Sequence, residues 1–126
     1  MQLELLPETF AICRLEKTAP FPPWASASQG LLCLARTQDE VSVVCEDRLV
    51  PPDARSERGW RAVRVAGTLD FSLTGVLARI AQPLAESRVS LFALSTFDTD
   101  YVLVREATLD AALRALESQG WVIKKT

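Results

Sequence analysis

Residues 69–75 combine several groups that could recognise a small molecule. The apolar pattern that follows predicts a helix, and a helix start offers unpaired backbone N–H groups that attract a carboxylate. Asp70 could accept an ammonium, and Gly75 would let a ligand or a neighbouring backbone come close. The chemistry alone favours a structural interpretation: Asp70 or Ser72 caps the helix, and Gly75 makes room for packing between the helix and the sheet.

Residues 95–100 form a second polar segment, Ser-Thr-Phe-Asp-Thr-Asp, between two predicted strands. Asp98 and Asp100 place two acceptors near one strand end, which suits an amine or a basic side chain. Asp and Thr are also common in tight turns, because their side chains bond to nearby amides. Sequence spacing does not decide whether this turn meets Asp70 within one chain or across an interface.

The composition excludes several classes of chemistry. The chain of 126 residues has no histidine, which excludes Ser-His-Asp and Cys-His catalysis and histidine metal ligation. A net charge of −2 and a pI of about 5.2 oppose binding to a nucleic-acid backbone. Cys13, Cys33 and Cys45 lack C-x-x-C spacing, so we expect buried, reduced thiols. We therefore predict no catalytic residues, no metal and no cofactor.

The second half of the chain has a regular pattern of elements. Strands are predicted over residues 60–66, 89–96, 101–105 and 121–124. Leu73, Val76, Leu77, Ile80 and Leu84 recur at helical spacing and predict a helix over residues 72–88, which Pro83 bends in its last turn. A second helix follows Thr108 as its cap and stops at Gly120. The order is β-α-β-β-α-β, the split ferredoxin-like unit.

The first half repeats this pattern with parts missing. Strands are predicted over residues 9–15, 31–35 and 41–45, with a helical turn over 24–28. The predicted fold class is therefore α/β of the α+β type, with two ferredoxin-like βαββαβ units, the N-terminal one reduced, packed together. The predicted domains are a degenerate unit over residues 1–50, a Pro- and charge-rich connector over 51–59 and a complete unit over 60–126.

The motifs of the second half resemble a known family. The sequence Gly67-Thr-Leu-Asp-Phe-Ser-Leu-Thr-Gly-Val-Leu-Ala78 and the later run Leu94-Ser-Thr-Phe-Asp-Thr-Asp-Tyr-Val-Leu-Val104 resemble the ACT domain. Pro83-Leu-Ala-Glu86 and Glu57-Arg-Gly-Trp-Arg-Ala-Val-Arg-Val65 fit the same pattern. More narrowly, the chain resembles the small tandem-ACT bacterial proteins related to the CASTOR-type arginine sensors.

The resemblance implies a noncatalytic sensor or regulatory module that binds a small molecule, usually an amino acid, where two ACT units meet. It implies a homodimer, in which such units pair by strand edges or helices, and a ligand that favours one docked arrangement over another. The implied contact residues are Leu69, Asp70, Phe71, Ser72, Gly75, Thr96, Phe97, Asp98 and Asp100.

Two alternatives remain open: a ligand-free protein-interaction module with the same fold, and a small carboxylate-dependent enzyme. The N-terminus, MQLELLPETF, does not resemble a signal peptide, and no apolar run approaches the roughly 20 residues that span a bilayer. We therefore expect a cytoplasmic protein with neither a membrane nor a nucleic-acid partner.

Overall fold

The computed structural model describes residues 1–70 and 72–126 and divides the chain into two compact units. The larger unit comprises Met1–Pro7 together with Arg61–Thr126, and the smaller unit comprises Glu8–Trp60. Strands β1 (Gln2–Leu15) and β4 (Ser56–Val65) each contribute residues to both units. The expected domain boundaries around the connector stay a prediction, although the first seven residues group with the larger unit.

The larger unit has the element order that the sequence predicts for its second half. After β4 come α1 (Val76–Glu86), β5 (Leu91–Ser95), β6 (Asp100–Arg105), α2 (Leu109–Ser118) and β7 (Val122–Lys125). A single 3₁₀ turn over Glu106–Thr108 leads into α2. Thr108 stands at the N-cap position of α2, but its hydroxyl bonds back to the carbonyl of Arg105 and does not cap the helix. This arrangement confirms the predicted α+β class.

The sheet of the larger unit is mixed. Strand β5 pairs antiparallel with β6, from Leu91↔Val104 to Ser95↔Asp100, and β6 neighbours β4. The first residues of β1 pair parallel with β7, from Gln2↔Val122 to Leu5↔Lys125. The prediction that the first strand begins at Thr9 was therefore wrong, because the alternation of Leu3 and Leu5, both buried, already marks a strand.

The two helices bury one apolar stripe each against this sheet. Ile80 and Leu84 of α1 and Leu116 of α2 are buried in the same cluster as Val65 and Val102 of the sheet. Such a stripe at helical spacing is what stabilises a short helix in a protein. Leu73, which the sequence places on this stripe, lies before the helix and is exposed.

Pro83 lies inside α1, and the helix continues through it to Glu86. A proline lacks the N–H that would bond to the carbonyl four residues earlier, here that of Arg79. The indole N–H of Trp121 donates to this carbonyl instead, at 3.1 Å. A side chain of the buried core therefore replaces the backbone bond that Pro83 cannot make.

The smaller unit contains strands β2 (Cys33–Arg36) and β3 (Val41–Glu46) beside the second part of β1. Strand β3 pairs antiparallel with β1, from Phe10↔Glu46 to Leu15↔Val41, and also with β2. Single 3₁₀ turns cover Pro23–Ala25 and Asp47–Leu49. Strand β4 begins at Ser56, inside the expected connector, where Arg58 binds the carboxylate of Asp47 at 2.8 Å.

The cysteines are free, and Cys13 and Cys45 are buried in the core of the smaller unit. A hydrogen bond between these two thiols, together with burial, raises the pKa of Cys45 above its usual range. Cys33 is only half-buried, so the expectation of burial does not hold fully for it. No helix among residues 1–70 and 72–126 is long and apolar enough to cross a membrane.

Candidate functional site

A cavity of about 260 Å³ opens in the larger unit between the β4–α1 loop and the β5–β6 turn. Of the residues implied by the resemblance, those that line it are Leu69, Asp70, Gly75, Thr96, Phe97, Asp98 and Asp100. Ser72 does not line it, and Phe71 lies outside the described residues. The two segments that the sequence singled out separately therefore meet within one unit of one chain.

Hydrogen bonds hold the two walls of this cavity together. The backbone N–H of Leu69 donates to the carbonyl of Asp98 at 2.7 Å. The hydroxyl of Thr99, which is buried, donates to the carbonyl of Val65 at 2.8 Å. The first bond joins the turn to the loop after β4, and the second joins the turn to the end of β4. Together they fix the separation of the walls.

Three carboxylates lie around the cavity. The carboxylate of Asp70 accepts the backbone N–H of Ser72 at 2.8 Å, and hydrogen bonding from Ser72 lowers the pKa of Asp70. The carboxylate of Asp100 accepts the hydroxyl of Ser95 at 2.6 Å. Asp98 is exposed on the turn between β5 and β6. This concentration of negative charge is suited to a cationic group.

The helix begins later than the sequence suggested. Gly75, in the left-handed conformation with φ of 77°, precedes Val76 as the N-cap, so the prediction of Asp70 or Ser72 as cap was wrong. The physical reason is a local turn: the carboxylate of Asp70 binds the N–H of Ser72, and its carbonyl binds the N–H of Leu73. Such bonds compete with helix formation.

Gly75 has a role different from the expected one. A Cβ at this position would meet no atom within 4 Å, so the residue does not make room for packing. It provides the positive φ that side chains with a Cβ rarely adopt. The helix start remains beside the cavity, because Gly75, Val76 and Leu77 all line it. An anion would therefore meet the first N–H groups of α1 at Val76, later than expected.

Sequence reasoning missed part of the lining. Leu73, Val76, Leu77, Ser95 and Thr99 also line the cavity. The sequence places Leu73, Val76 and Leu77 on the buried stripe of the helix. Only their position beside the two loops shows that they also line the cavity. They add an apolar wall next to the carboxylates. The described residues contain no group of three or more side chains placed to hold a metal ion.

The family model of the ACT domain matches residues 55–118, half of the chain. The chain therefore belongs to the ACT domain family. A second family model, of an N-terminal domain, matches residues 8–53.

Curated relatives match a little under half of the chain. Cytosolic arginine sensor for mTORC1 subunit 1 from Homo sapiens is 39% identical over 59 residues, and the protein of that name from Mus musculus is 42% identical over 66 residues. The matches cover 46% and 48% of this chain but 18% and 20% of those proteins. The matched segment thus spans about a fifth of the length of these curated relatives.

Solved structures extend the likeness over both halves. A protein from Agrobacterium tumefaciens is 31% identical, with a TM-score of 0.92 over 99% of this chain and 92% of its own. The regulatory subunit of aspartate kinase from Thermus thermophilus, in its ligand-free form, has a TM-score of 0.60 at 12% identity. That comparison covers 90% of this chain and 93% of the subunit, and shows a common fold.

Proposed function

We propose that the protein is a noncatalytic sensor or regulatory module that binds an amino acid in the cavity between the β4–α1 loop and the β5–β6 turn. The main supporting observation is that carboxylates, apolar side chains and the start of α1 all line one cavity. The curated relatives are named as arginine sensors, and a solved structure of similar fold is a regulatory subunit of aspartate kinase. Both support a regulatory role over a catalytic one.

The ligand is an amino acid with an apolar stem and, by preference, a basic end. Its carboxylate would lie at the first N–H groups of α1, and its ammonium or basic side chain would bind among Asp70, Asp98 and Asp100. Leu69 and Leu77 would contact the aliphatic part. Three carboxylates without a lysine or arginine in the lining favour a ligand with net positive charge.

The proposal includes an assembly. The chain is a tandem of two ACT-like units, and two chains form a homodimer in which the ligand biases one ACT–ACT arrangement. The curated relatives are named cytosolic, and we propose the same location for this protein.

A thermal-shift screen of the twenty amino acids tests the proposal. A ligand at about 100 times its Kd adds about 2.7 kcal/mol to the native state, which is on the order of 10 °C for a chain of this size. Asp98→Asn should reduce the shift, whereas Asp53→Asn, an equal charge change in the smaller unit, should preserve it. No shift with any long-chain amino acid at millimolar concentration would contradict the proposal.

One observation favours a second function, that of a ligand-free interaction module. Phe97 is 79% exposed and Leu73 is 53% exposed at the rim of the cavity. Exposed apolar side chains of this size mark contact surfaces when they cluster. In that case the rim binds a protein surface, and the amino-acid screen gives no shift.

A further inference from the structure

A second cavity, of about 250 Å³, lies beside the first in the larger unit and shares Thr96, Asp98 and Thr99 with it. The residues that line only the second cavity are Glu4, Arg64, Val65, Gly67, Thr68 and Tyr101. These residues come from β1, β4, β6 and the loop after β4. None of these six residues is among the contact residues that the family resemblance implied.

Arg64 is the central polar group of this cavity. Its Nε donates to Oε1 of Glu4 at 2.6 Å, and Tyr101 lines the same cavity. A guanidinium has five N–H donors in a planar fork, so the bond to Glu4 leaves other N–H groups able to bind a carboxylate. The Arg64 side chain is 38% exposed, which keeps that fork within reach of a solute.

The charges of the second cavity are complementary to a zwitterion. Arg64 provides one positive charge, while Glu4 and Asp98 provide two carboxylates. Two carboxylates against one guanidinium disfavour a simple anion. A molecule with a carboxylate and an ammonium on one carbon atom can use both signs of charge, and the hydroxyls of Thr68 and Tyr101 add hydrogen-bonding groups.

The lining also limits the size and polarity of an occupant. Val65 is the sole aliphatic residue in this lining, and it is buried. The first cavity, in contrast, presents Leu69, Leu73 and Leu77. A long apolar side chain would therefore gain little in the second cavity, since burial of apolar surface needs an apolar wall.

We propose that the second cavity is a separate binding site for a compact α-amino acid, of the size of glycine or serine. The carboxylate of the ligand binds the guanidinium of Arg64, and its ammonium binds Glu4 or Asp98. This site does not depend on the proposed function of the first cavity. Because Asp98 and Thr96 face both cavities, occupation of one site would alter the other.

Isothermal titration calorimetry of the full chain with glycine and with serine tests this site. We expect binding that Arg64→Met weakens roughly tenfold, because hydrogen bonds to a charged group are lost. Arg114→Met is the matched control, since Arg114 is exposed on α2 outside both cavities, and it should bind as the unchanged protein does. Glycolate, which has a hydroxyl in place of the ammonium, should bind more weakly than glycine.

Thr68→Val guards against a trivial loss of folding in Arg64→Met, because it preserves side-chain shape and the Arg64–Glu4 pair. We expect about a fivefold weakening from the loss of one neutral hydrogen bond. The proposed site would be contradicted by no heat with glycine or serine at millimolar concentration, or by equal binding by both variants and the unchanged protein. The Arg64–Glu4 contact would then be a structural ion pair and not part of a binding site. Glycolate binding as tight as that of glycine would contradict the proposal that the site recognises a zwitterion.

The two sites can fail independently. A thermal shift by a long-chain amino acid that persists in Arg64→Met belongs to the first cavity. Glycine binding that requires Arg64, in a protein that no long-chain amino acid stabilises, would support the second site and contradict the proposed function.

Discussion

The backbone N–H of Leu69 donates a 2.7 Å hydrogen bond to the carbonyl of Asp98. This bond joins the loop before α1 to the turn between β5 and β6, and the buried hydroxyl of Thr99 adds a second link, to Val65. The cavity walls are thus fixed before a ligand arrives. Preorganisation of this kind lowers the entropic cost of binding.

Thr99→Val should loosen the wall while preserving the shape of the side chain. The substitution leaves the carbonyl of Val65 without its 2.8 Å donor in a buried place. We expect a loss of about 1–3 kcal/mol in the free energy of unfolding. Urea unfolding measures it, with Thr18→Val as an exposed control that should change stability by less than about 0.5 kcal/mol. Equal midpoints for the two variants would contradict the link.

Trp121 and Pro83 should be energetically coupled through the carbonyl of Arg79. Trp121→Phe removes the indole N–H and leaves that carbonyl without its 3.1 Å donor. Pro83→Ala restores a backbone N–H four residues after Arg79, which can take over the bond. We therefore expect Trp121→Phe to cost less in the Pro83→Ala background, by about 1 kcal/mol.

A double-mutant cycle of urea unfolding measures this coupling. Loss of packing volume from Trp121→Phe is common to both backgrounds and cancels in the cycle. Pro83→Ala combined with Val43→Ala, a change in the core of the smaller unit, serves as a comparison cycle that should show no such coupling. A coupling energy of zero between Pro83 and Trp121 would mean that the indole bond does not compensate for the proline.

The boundary of α1 shows what local sequence could predict and what it could not. The periodicity of Ile80 and Leu84 predicted the helix correctly, because burial of one stripe requires that spacing. The cap was misplaced because Asp70 and Ser72 are good capping residues that here bond to each other in a turn. A glycine N-cap at Gly75 is rarer, and nothing in its neighbours distinguishes it from a packing glycine.

The site shows the same division. Asp70, Asp98 and Asp100 were identified from residue type and from the family resemblance, and the structure brings them to one cavity. The contribution of Thr99 was not predicted, because its bond to Val65 joins segments that are distant in sequence. Pairing of β1 with β7 joins the two ends of the chain, which local pattern alone does not reveal.

Glu46 should make the stability of the smaller unit depend on pH. Burial opposes its charge, but hydrogen bonds from the backbone of Gln29 and Gly30 and from Arg48 outweigh it and lower the pKa of Glu46. A carboxyl group with a lowered native pKa stabilises the fold above its usual pKa of about 4.5, and this stabilisation is lost as the pH falls through the lowered value.

Glu46→Gln should therefore cost about 1–3 kcal/mol at pH 7, and the cost should shrink as the pH falls below about 4. Unfolding by urea from pH 7 to pH 3 measures the difference between the variant and the unchanged protein. Glu16→Gln, at an exposed position, should give a difference near zero throughout. A cost that stays constant with pH would show that the charge of Glu46 contributes nothing.

The rim residues Phe97 and Leu73 should control the oligomeric state. Both side chains are largely exposed at the mouth of the first cavity. If the rim forms part of a homodimer, Phe97→Ser combined with Leu73→Ser should convert a dimer to a monomer, because the apolar contact is lost. Light scattering after size exclusion measures the mass.

Val122→Ser is the matched control, since Val122 is 63% exposed on β7 and does not line this cavity. Dissociation by Val122→Ser alone would place the interface at the β7 edge, and the homodimer would then form without the rim.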